Sequence, residues 1–192
     1  SSDDYYSLLT QLSNAPVTAY SAEPGGEGLS PDAVLEEDES KTVFDFNGKR
    51  YTLPLPGRHH LHDLFAVLAA GKGLGLEPET LLAHLSTLGN PDGRAEWVTI
   101  GKARFYLDAY NSAPESLRAS LGVLKACRGR RLAVLGDMLE LGEVGPGAHR
   151  EVGESLPDYG VDLVLGYGPL TEGLIEGAQQ RVGRDRLARL GE

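Results

Sequence analysis

The apolar run Leu132-Ala133-Val134-Leu135 passes directly into Gly136-Asp137. A run with no polar residue inside it is typical of a strand buried on both faces of a parallel sheet. Helical patterns lie on both sides of it, and a second apolar run follows. This alternation predicts an α/β domain with a doubly wound parallel sheet covered by helices on both faces. The expected neighbours are helices at 116–126, 149–156 and 170–182 and strands at 97–100, 105–107 and 162–165.

The chain before this region follows another pattern. Short strands dominate, and Asn47-Gly48 joins two of them, a dipeptide that favours a two-residue hairpin turn. Helical patterns stand at the start and at the end of the segment. Small antiparallel strands plus helices are therefore predicted. The ranges are helices at 3–12, 59–74 and 77–88 and strands at 16–20, 33–35, 42–46 and 51–55.

Gly89-Asn90-Pro91-Asp92-Gly93 is the most linker-like segment of the chain. Glycine and proline limit regular structure, and domain boundaries fall in such stretches. We therefore divide the chain into a domain at 1–93 and a domain at 94–192.

Composition excludes some classes of function. The formal net charge of -10 repels a phosphate backbone, so nucleic-acid binding is not expected. The sequence contains no apolar run of the length that spans a bilayer. A lone Cys127 cannot form an internal disulfide, which fits a reducing, cytoplasmic location. The histidines near residue 60 have no cysteine close by to complete a zinc pattern, so no metal site is predicted.

Two carboxylates directly follow predicted strands. Asp108 comes after the strand at 105–107, and Asp137 after the run at 132–135. Ligands of doubly wound sheets bind beyond the carboxyl ends of the strands, so both side chains are expected at one edge. There they could accept hydrogen bonds from ribose hydroxyls or from a substrate amine. The alternative is that both only cap turns and helix starts.

Longer strings of residues resemble the Mur ligase family of ATP-dependent amide ligases, in particular those that add D-alanyl-D-alanine to a cell-wall precursor. The longest string is Arg131 to Glu143, followed by His149-Arg150-Glu151-Val152-Gly153. Tyr110-Asn111-x-x-Pro114-x-Ser116 is similar to the family's Tyr-Asn-Ala-Asn-Pro-x-Ser. Leu53-Pro54-Leu55-Pro56-Gly57-Arg58-His59 is similar to its Leu-Pro-Gly-Arg-His-Asn, which begins a helix of the central domain. Ser2-Asp3-Asp4 falls at the family's Asn-Ala-Asp-Asp. The similarity therefore runs through essentially the whole chain, in the family's order.

The resemblance implies a fold and a reaction. Residues 1–93 would be the remainder of a central domain, and 94–192 a Rossmann-like C-terminal domain that stops before the family's closing Lys-Gly-Ser-Arg strand. In this family ATP, with Mg²⁺, phosphorylates the carboxylate of a UDP-muramoyl peptide, and an amine attacks the acyl phosphate in peptidoglycan synthesis. The amine donor would be D-alanyl-D-alanine. The implied nucleotide-binding residues are Arg94, Asp108, His59, His60 and Asp63, and the implied substrate-cleft residues are Tyr110, Asn111, Asp137, Glu140 and His149.

The chain also departs from the family pattern. The phosphate-binding loop Gly-x-x-x-x-Gly-Lys-Ser/Thr does not occur in the 192 residues, and no catalytic residue is assigned. His60 and Asp63 stand where the family has asparagines, and Leu107 and Ala113 also differ from it. The chain is therefore expected to be inactive with ATP when alone.

Other functions stay open at this point. One is a non-catalytic relative that binds a peptide or nucleotide, or that completes a ligase whose phosphate loop lies on a second chain. Another is a folylpolyglutamate-type ligase, against which the Leu135-to-Gly142 string argues.

Overall fold

The computed structural model describes residues 6–89, 93–179, 181 and 187–190. The chain divides into two compact units, at 1–89 and 90–192. Among the described residues, no helix is both long and apolar enough to cross a bilayer. The expected resemblance at Ser2-Asp3-Asp4 and the middle of the predicted linker lie outside the described residues.

The first unit is a three-stranded antiparallel sheet packed against a long helix. The strand order is β1-β2-β3, and the Asn47-Gly48 turn joins β2 to β3 with Phe46 opposite Lys49. Both turn residues have positive φ, at 51° and 69°, as this kind of hairpin turn requires. The elements are α1 (Tyr6–Leu12), β1 (Ala33–Glu37), β2 (Thr42–Phe46), β3 (Lys49–Leu53), α2 (Arg58–Gly73) and α3 (Pro78–Leu82).

Alternation along β2 builds the core of this unit. Phe44 and Phe46 point to the same face and meet Phe65 of α2 edge-on, with ring centroids 5.9 and 5.5 Å apart. Leu61 and Leu68, on the same stripe of α2 as Phe65, are fully buried. The alternating apolar residues of β2 and the apolar stripe of α2 therefore pack together in one hydrophobic core.

Two local predictions for the first unit are wrong. Residues 16–20 form no strand and contribute only an isolated bridge between Tyr20 and Leu29. The helix expected at 77–88 is divided into α3 and a 3₁₀ turn at Leu85–Thr87. At the break, His84 N–H donates to Leu81 O, the shorter i→i−3 bond of a 3₁₀ turn.

The second unit starts with an antiparallel hairpin and continues as a parallel α/β sheet. The hairpin pairs β4 with β5, and the parallel sheet has the order β6-β7-β8. The α/β class predicted from the sequence is thus confirmed. The elements are β4 (Glu96–Ile100), β5 (Ala103–Leu107), α4 (Pro114–Ala126), β6 (Leu132–Gly136), α5 (Gly145–Ser155), β7 (Leu163–Tyr167), α6 (Thr171–Gln179) and β8 (Leu187–Leu190).

The described helices of this unit bury one face of the parallel sheet. Ala133, Leu135 and Val164 face a cluster that includes residues of α4, α5 and α6. Val134, on the opposite face of β6, is 63% exposed. The strand order β6-β7-β8 follows the chain, so each crossover runs in the same direction across the sheet. Since such crossovers are right-handed, the connecting helices lie on the same face. Helices on both faces, as predicted, are therefore not found among the residues that the structure describes.

Two further expectations need correction. The strands at 97–100 and 105–107 pair with each other as β4 and β5 and do not join the parallel sheet. Their direct connection through Gly101-Lys102 permits only the antiparallel arrangement, since a parallel pair needs a long crossover. The sequence analysis also missed β8, which is only four residues long and shows no apolar–polar alternation that would indicate a strand.

Candidate functional site

A cleft of about 400 Å³ lies in the second unit, between the end of β5 and the end of β6. One wall is the segment from Tyr106 to Ser112 with the start of α4, and the other runs from Val134 to Leu139. Both strand-end carboxylates line it: Asp108 is exposed and Asp137 is half-buried. They meet here although β5 belongs to the hairpin and β6 to the parallel sheet.

Asp108 is held from the first turns of α4. The Ser120 hydroxyl lies within hydrogen-bond distance of both Asp108 Oδ2 and the Ser116 carbonyl, and its single proton donates to one of them or is shared between the two. Tyr106, two residues earlier on β5, points its hydroxyl into a buried position with no hydrogen-bond partner among the described residues. Burial, and to a lesser extent the negative charge of Asp108, raises the pKa of the Tyr106 phenol. This wall of the cleft therefore combines a carboxylate with a protonated phenol.

Asp137 is held by the start of α6. Its Oδ1 accepts the Thr171 N–H at 2.9 Å, so it satisfies one of the free N–H groups at that helix end. The backbone at Gly168 packs directly against the Asp137 side chain: an added Cβ at Gly168 would lie 2.5 Å from the Asp137 carboxyl carbon. Gly168 also has φ +104°, which favours glycine. Asp137 thus has a structural role in addition to any contact with a ligand.

His149 does not line the cleft, in contrast to the expectation from the sequence. Its side chain is fully buried. Nε2 accepts the Met138 N–H at 2.9 Å, and Nδ1 lies 2.7 Å from Gly145 O. The expected proximity to Asp137 is indirect, because the bond goes to the backbone of the next residue. Helical periodicity places His149 on the inner side of α5, beside Val152 and Gly153, which are buried as well.

The remaining candidates of this unit lie at the rim. The Arg94 guanidinium stacks on the Tyr110 ring, 3.9 Å from its centroid, a contact that the sequence did not suggest. Tyr110 is 70% exposed, and the Asn111 side chain accepts the Ser112 N–H at 2.9 Å. Glu140 is exposed and takes φ +63°, unusual for a residue with a side chain.

Three candidates from the first unit lie at the start of α2. His59 lines a cavity of about 950 Å³ within that unit. The His60 Nδ1 lies 2.7 Å from Pro56 O, which fixes a proton on that nitrogen because a carbonyl can only accept. Asp63 is exposed and is not among the residues that line the cavity. Of the three, only His59 lines this cavity.

Sequence reasoning missed the residues that hold the two carboxylates. Ser120, Thr171 and Gly168 lie 12, 34 and 31 residues from their partners. A signal did exist for Thr171, because threonine at a helix start following Gly-Pro is typical of a helix N-terminus. Its partner could not be found from sequence, since the acceptor is on another strand.

The second unit is an α/β domain with a cleft beyond the ends of its strands, the place where ligands bind in proteins with this architecture. A family model described as Mur ligase, glutamate ligase domain, matches residues 93–188, half of the chain. The chain belongs to the Mur ligase family.

Within this family, the chain is similar to ligases of one particular name. The chain is 32% identical over 197 residues to a UDP-N-acetylmuramoyl-tripeptide–D-alanyl-D-alanine ligase of Bacillus subtilis, which covers 96% of this chain and 43% of the relative. A ligase of the same name from Synechocystis is 39% identical over 145 residues, 73% of this chain and 31% of the relative. The chain thus spans less than half the length of these relatives.

Solved structures show the same fold. A crystal structure of MurF from Acinetobacter baumannii superposes with a TM-score of 0.83 at 23% identity, over 97% of this chain and 40% of that one. The MurF ligase of Thermotoga maritima in complex with ADP gives 0.60 at 23% identity, over 81% and 41% of the respective chains.

Proposed function

We propose that this chain is part of an ATP-dependent ligase that joins D-alanyl-D-alanine to a UDP-muramoyl peptide in peptidoglycan synthesis. One observation carries the proposal most directly. The segment Gly136–Glu143, which bears the strongest resemblance to the D-alanyl-D-alanine ligases, supplies part of a cleft wall opposite Asp108 and Asn111. A motif that only supported the fold would not be expected at a cleft that also gathers two strand-end carboxylates.

In this proposal residues 1–93 are the remainder of the central domain and residues 94–192 belong to the C-terminal domain. The division of the described chain after Gly89 supports this boundary, as does the start of the family match at Gly93. The relatives are matched as single polypeptides, so the proposal includes no second chain.

The residues of the cleft fit the ribose of a nucleotide but not its triphosphate. Asp108 and Asp137 offer carboxylate acceptors for a pair of ribose hydroxyls, and a volume of about 400 Å³ is in the range of small-molecule sites. The same two negative charges disfavour a triphosphate, and the glycine-rich phosphate loop does not occur in the sequence. We therefore assign ribose contact to Asp108, and phosphate contact only to the exposed Arg94 at the rim. No step of ATP or Mg²⁺ chemistry is assigned to this chain.

A chimera tests the function. The matching part of the Bacillus subtilis relative is replaced by this chain, and the joining of D-alanyl-D-alanine to a UDP-muramoyl tripeptide is measured by product mass. We expect product from the chimera, and a loss of ~10-fold or more when Asp108→Ala removes a charged hydrogen-bond acceptor. Asp158→Asn is the matched control, because Asp158 is exposed, pairs with Arg181 and is not part of the cleft wall.

A folded but inactive chimera would instead favour the non-catalytic alternative. A non-catalytic relative is favoured by His60 and Asp63, which stand where the family has asparagines. In that case the 192-residue chain should still bind ADP or D-alanyl-D-alanine in calorimetry, and Asp108→Ala should weaken the binding.

A further inference from the structure

Several hydrogen bonds hold the loop that follows β6. Among the described residues, His149 is the one side chain on the inner face of α5 that bonds to this loop. Met138 and His149 are both fully buried, while Asp137 and Leu139, on either side of Met138, line the cleft. The backbone N–H of Met138 donates to His149 Nε2 at 2.9 Å. The cleft wall is therefore held from behind by one side chain of a helix.

The two hydrogen bonds of His149 determine its tautomer. A backbone N–H can only donate, so Nε2 must be the acceptor; a carbonyl can only accept, so Nδ1 must carry the proton that goes to Gly145 O, 2.7 Å away. The ring is thus neutral and uses both nitrogens. Gly145 is the first residue of α5, so the same ring connects the start of this helix to the cleft loop.

We propose that His149 is a positioning residue, which holds the Asp137–Glu140 loop in the shape that forms the cleft. The consequence reaches Asp137, because the Met138 amide is the next backbone group along the chain. Asp137 in turn accepts the Thr171 N–H of α6. His149 therefore connects α5 to the cleft carboxylate and, through it, to α6. Its effect on ligation depends on the proposed function, whereas the positioning of the loop does not.

Two substitutions separate positioning from simple packing. Asn places an N–H donor where His149 Nδ1 lies, so His149→Asn keeps the bond to Gly145 and loses the acceptor for Met138. Gln places an oxygen near the position of Nε2, so His149→Gln keeps the acceptor and loses the donor. Packing would treat the two alike, because both replace a buried ring by a primary amide.

The test is amide hydrogen exchange by NMR on the whole 192-residue chain and both variants. In His149→Asn we expect the Met138 amide to exchange at least ~10-fold faster, the scale of one lost buried hydrogen bond, and the Thr171 amide to follow it. The Val152 amide, further along α5, should change little. In His149→Gln the protection of Met138 should return. Unchanged Met138 exchange in His149→Asn, or equal acceleration throughout the unit in both variants, would overturn the proposal.

A second measurement needs no variant. The ¹⁵N shifts of the imidazole in the unmodified chain should show a protonated Nδ1 and an unprotonated, hydrogen-bonded Nε2 at neutral pH. A proton on Nε2 would remove the acceptor for Met138 and overturn the proposal, even if a variant failed to fold. Neither measurement requires ligand or activity, so their outcome is separate from that of the chimera.

Discussion

Asp108 could stabilise the fold through its hydrogen bond with Ser120, or bind a ligand in the cleft. A substitution of Ser120 distinguishes these two roles. Ser120→Ala removes the same hydrogen bond as Asp108→Ala but leaves the carboxylate in place. If Asp108 binds nucleotide, we expect Asp108→Ala in the chimera to weaken ADP binding by roughly 1–3 kcal/mol, the scale of a charge-assisted hydrogen bond, and Ser120→Ala to have little effect. Calorimetry measures both. A matching loss of melting temperature in the two variants, with unchanged ADP binding, would make Asp108 structural.

Tyr106 carries a hydroxyl that is buried without a partner in the described residues. Removing such a group removes its desolvation cost and no hydrogen bond. We therefore expect Tyr106→Phe to leave the free energy of unfolding at pH 7 unchanged or to raise it by up to ~1 kcal/mol. Urea unfolding followed by circular dichroism measures this. Tyr51→Phe is a suitable control on a partly buried tyrosine of the other unit. A clear loss of stability in Tyr106→Phe would show that the hydroxyl does have a partner.

The same phenol gives a pH dependence. Burial raises the pKa of Tyr106 above its ordinary value of 10 in the folded chain. Above about pH 10 the unfolded chain releases this proton while the folded chain keeps it, so the contribution to stability is fully present below pH 10 and is lost as the pH rises further. The stability of Tyr106→Phe should therefore fall less steeply between pH 9.5 and 11 than that of the unmodified chain. Parallel pH curves in urea unfolding would contradict the prediction.

At the scale of elements, α5 and α6 approach so closely that their backbones touch. An added Cβ at Gly153 would lie 2.0 Å from Leu174 O, and one at Gly177 would lie 2.3 Å from Arg150 O. Each glycine thus faces a carbonyl of the other helix, and neither carbonyl can move without its helix. This close packing places the start of α6, with Thr171, where it can meet Asp137.

Gly153→Ala should therefore be strongly destabilising. We expect a loss of ~1–3 kcal/mol or more, because the methyl group must push two helices apart. Gly122→Ala is the matched control: Gly122 lies inside α4 with no atom within 4 Å of an added Cβ. There alanine should stabilise the chain by about 0.5–1 kcal/mol through its higher helix propensity. Thermal unfolding of both variants measures the difference, and equal effects of the two substitutions would contradict this account of the helix contact.

For the whole molecule, the division into two units predicts where a protease cuts first. Residues 1–89 and 90–192 form separate compact units, and the sequence between Gly89 and Gly93 contains two glycines and one proline. Segments between compact units are, as a class, the preferred sites of proteolytic cleavage. Brief digestion with a protease of broad specificity should give two fragments that end within 89–93, identified by mass spectrometry. First cleavage inside 77–88 would place the boundary elsewhere.

Activity also belongs to the scale of the whole molecule. We expect the purified 192-residue chain to show no measurable ATP hydrolysis and no joining of D-alanyl-D-alanine. Loss of a single transition-state donor costs ~10²–10³-fold in rate, and a whole phosphate loop supplies several such donors. Phosphate release and product mass measure the two reactions. The active chimera serves as the control that the assay works, and turnover by the isolated chain would refute the expectation.

Local chemistry of the sequence determined the α/β class, the Asn47-Gly48 hairpin and nearly all helices and strands. The reason is that apolar periodicity and turn residues act within a few positions. The same logic led to the two strand-end carboxylates, and the cleft does contain both. It failed for residues 16–20, where the extended pattern pairs, within the described residues, only through the isolated bridge between Tyr20 and Leu29.

Tertiary structure alone decided which partners hold the cleft together. The bonds from Ser120 to Asp108, from Thr171 to Asp137 and from Met138 to His149 join positions 11 to 34 residues apart. No local pattern encodes such pairs, because they depend on how helices cross the sheet. For the same reason the sequence placed His149 in the cleft, whereas packing of α5 buries it behind the cleft wall.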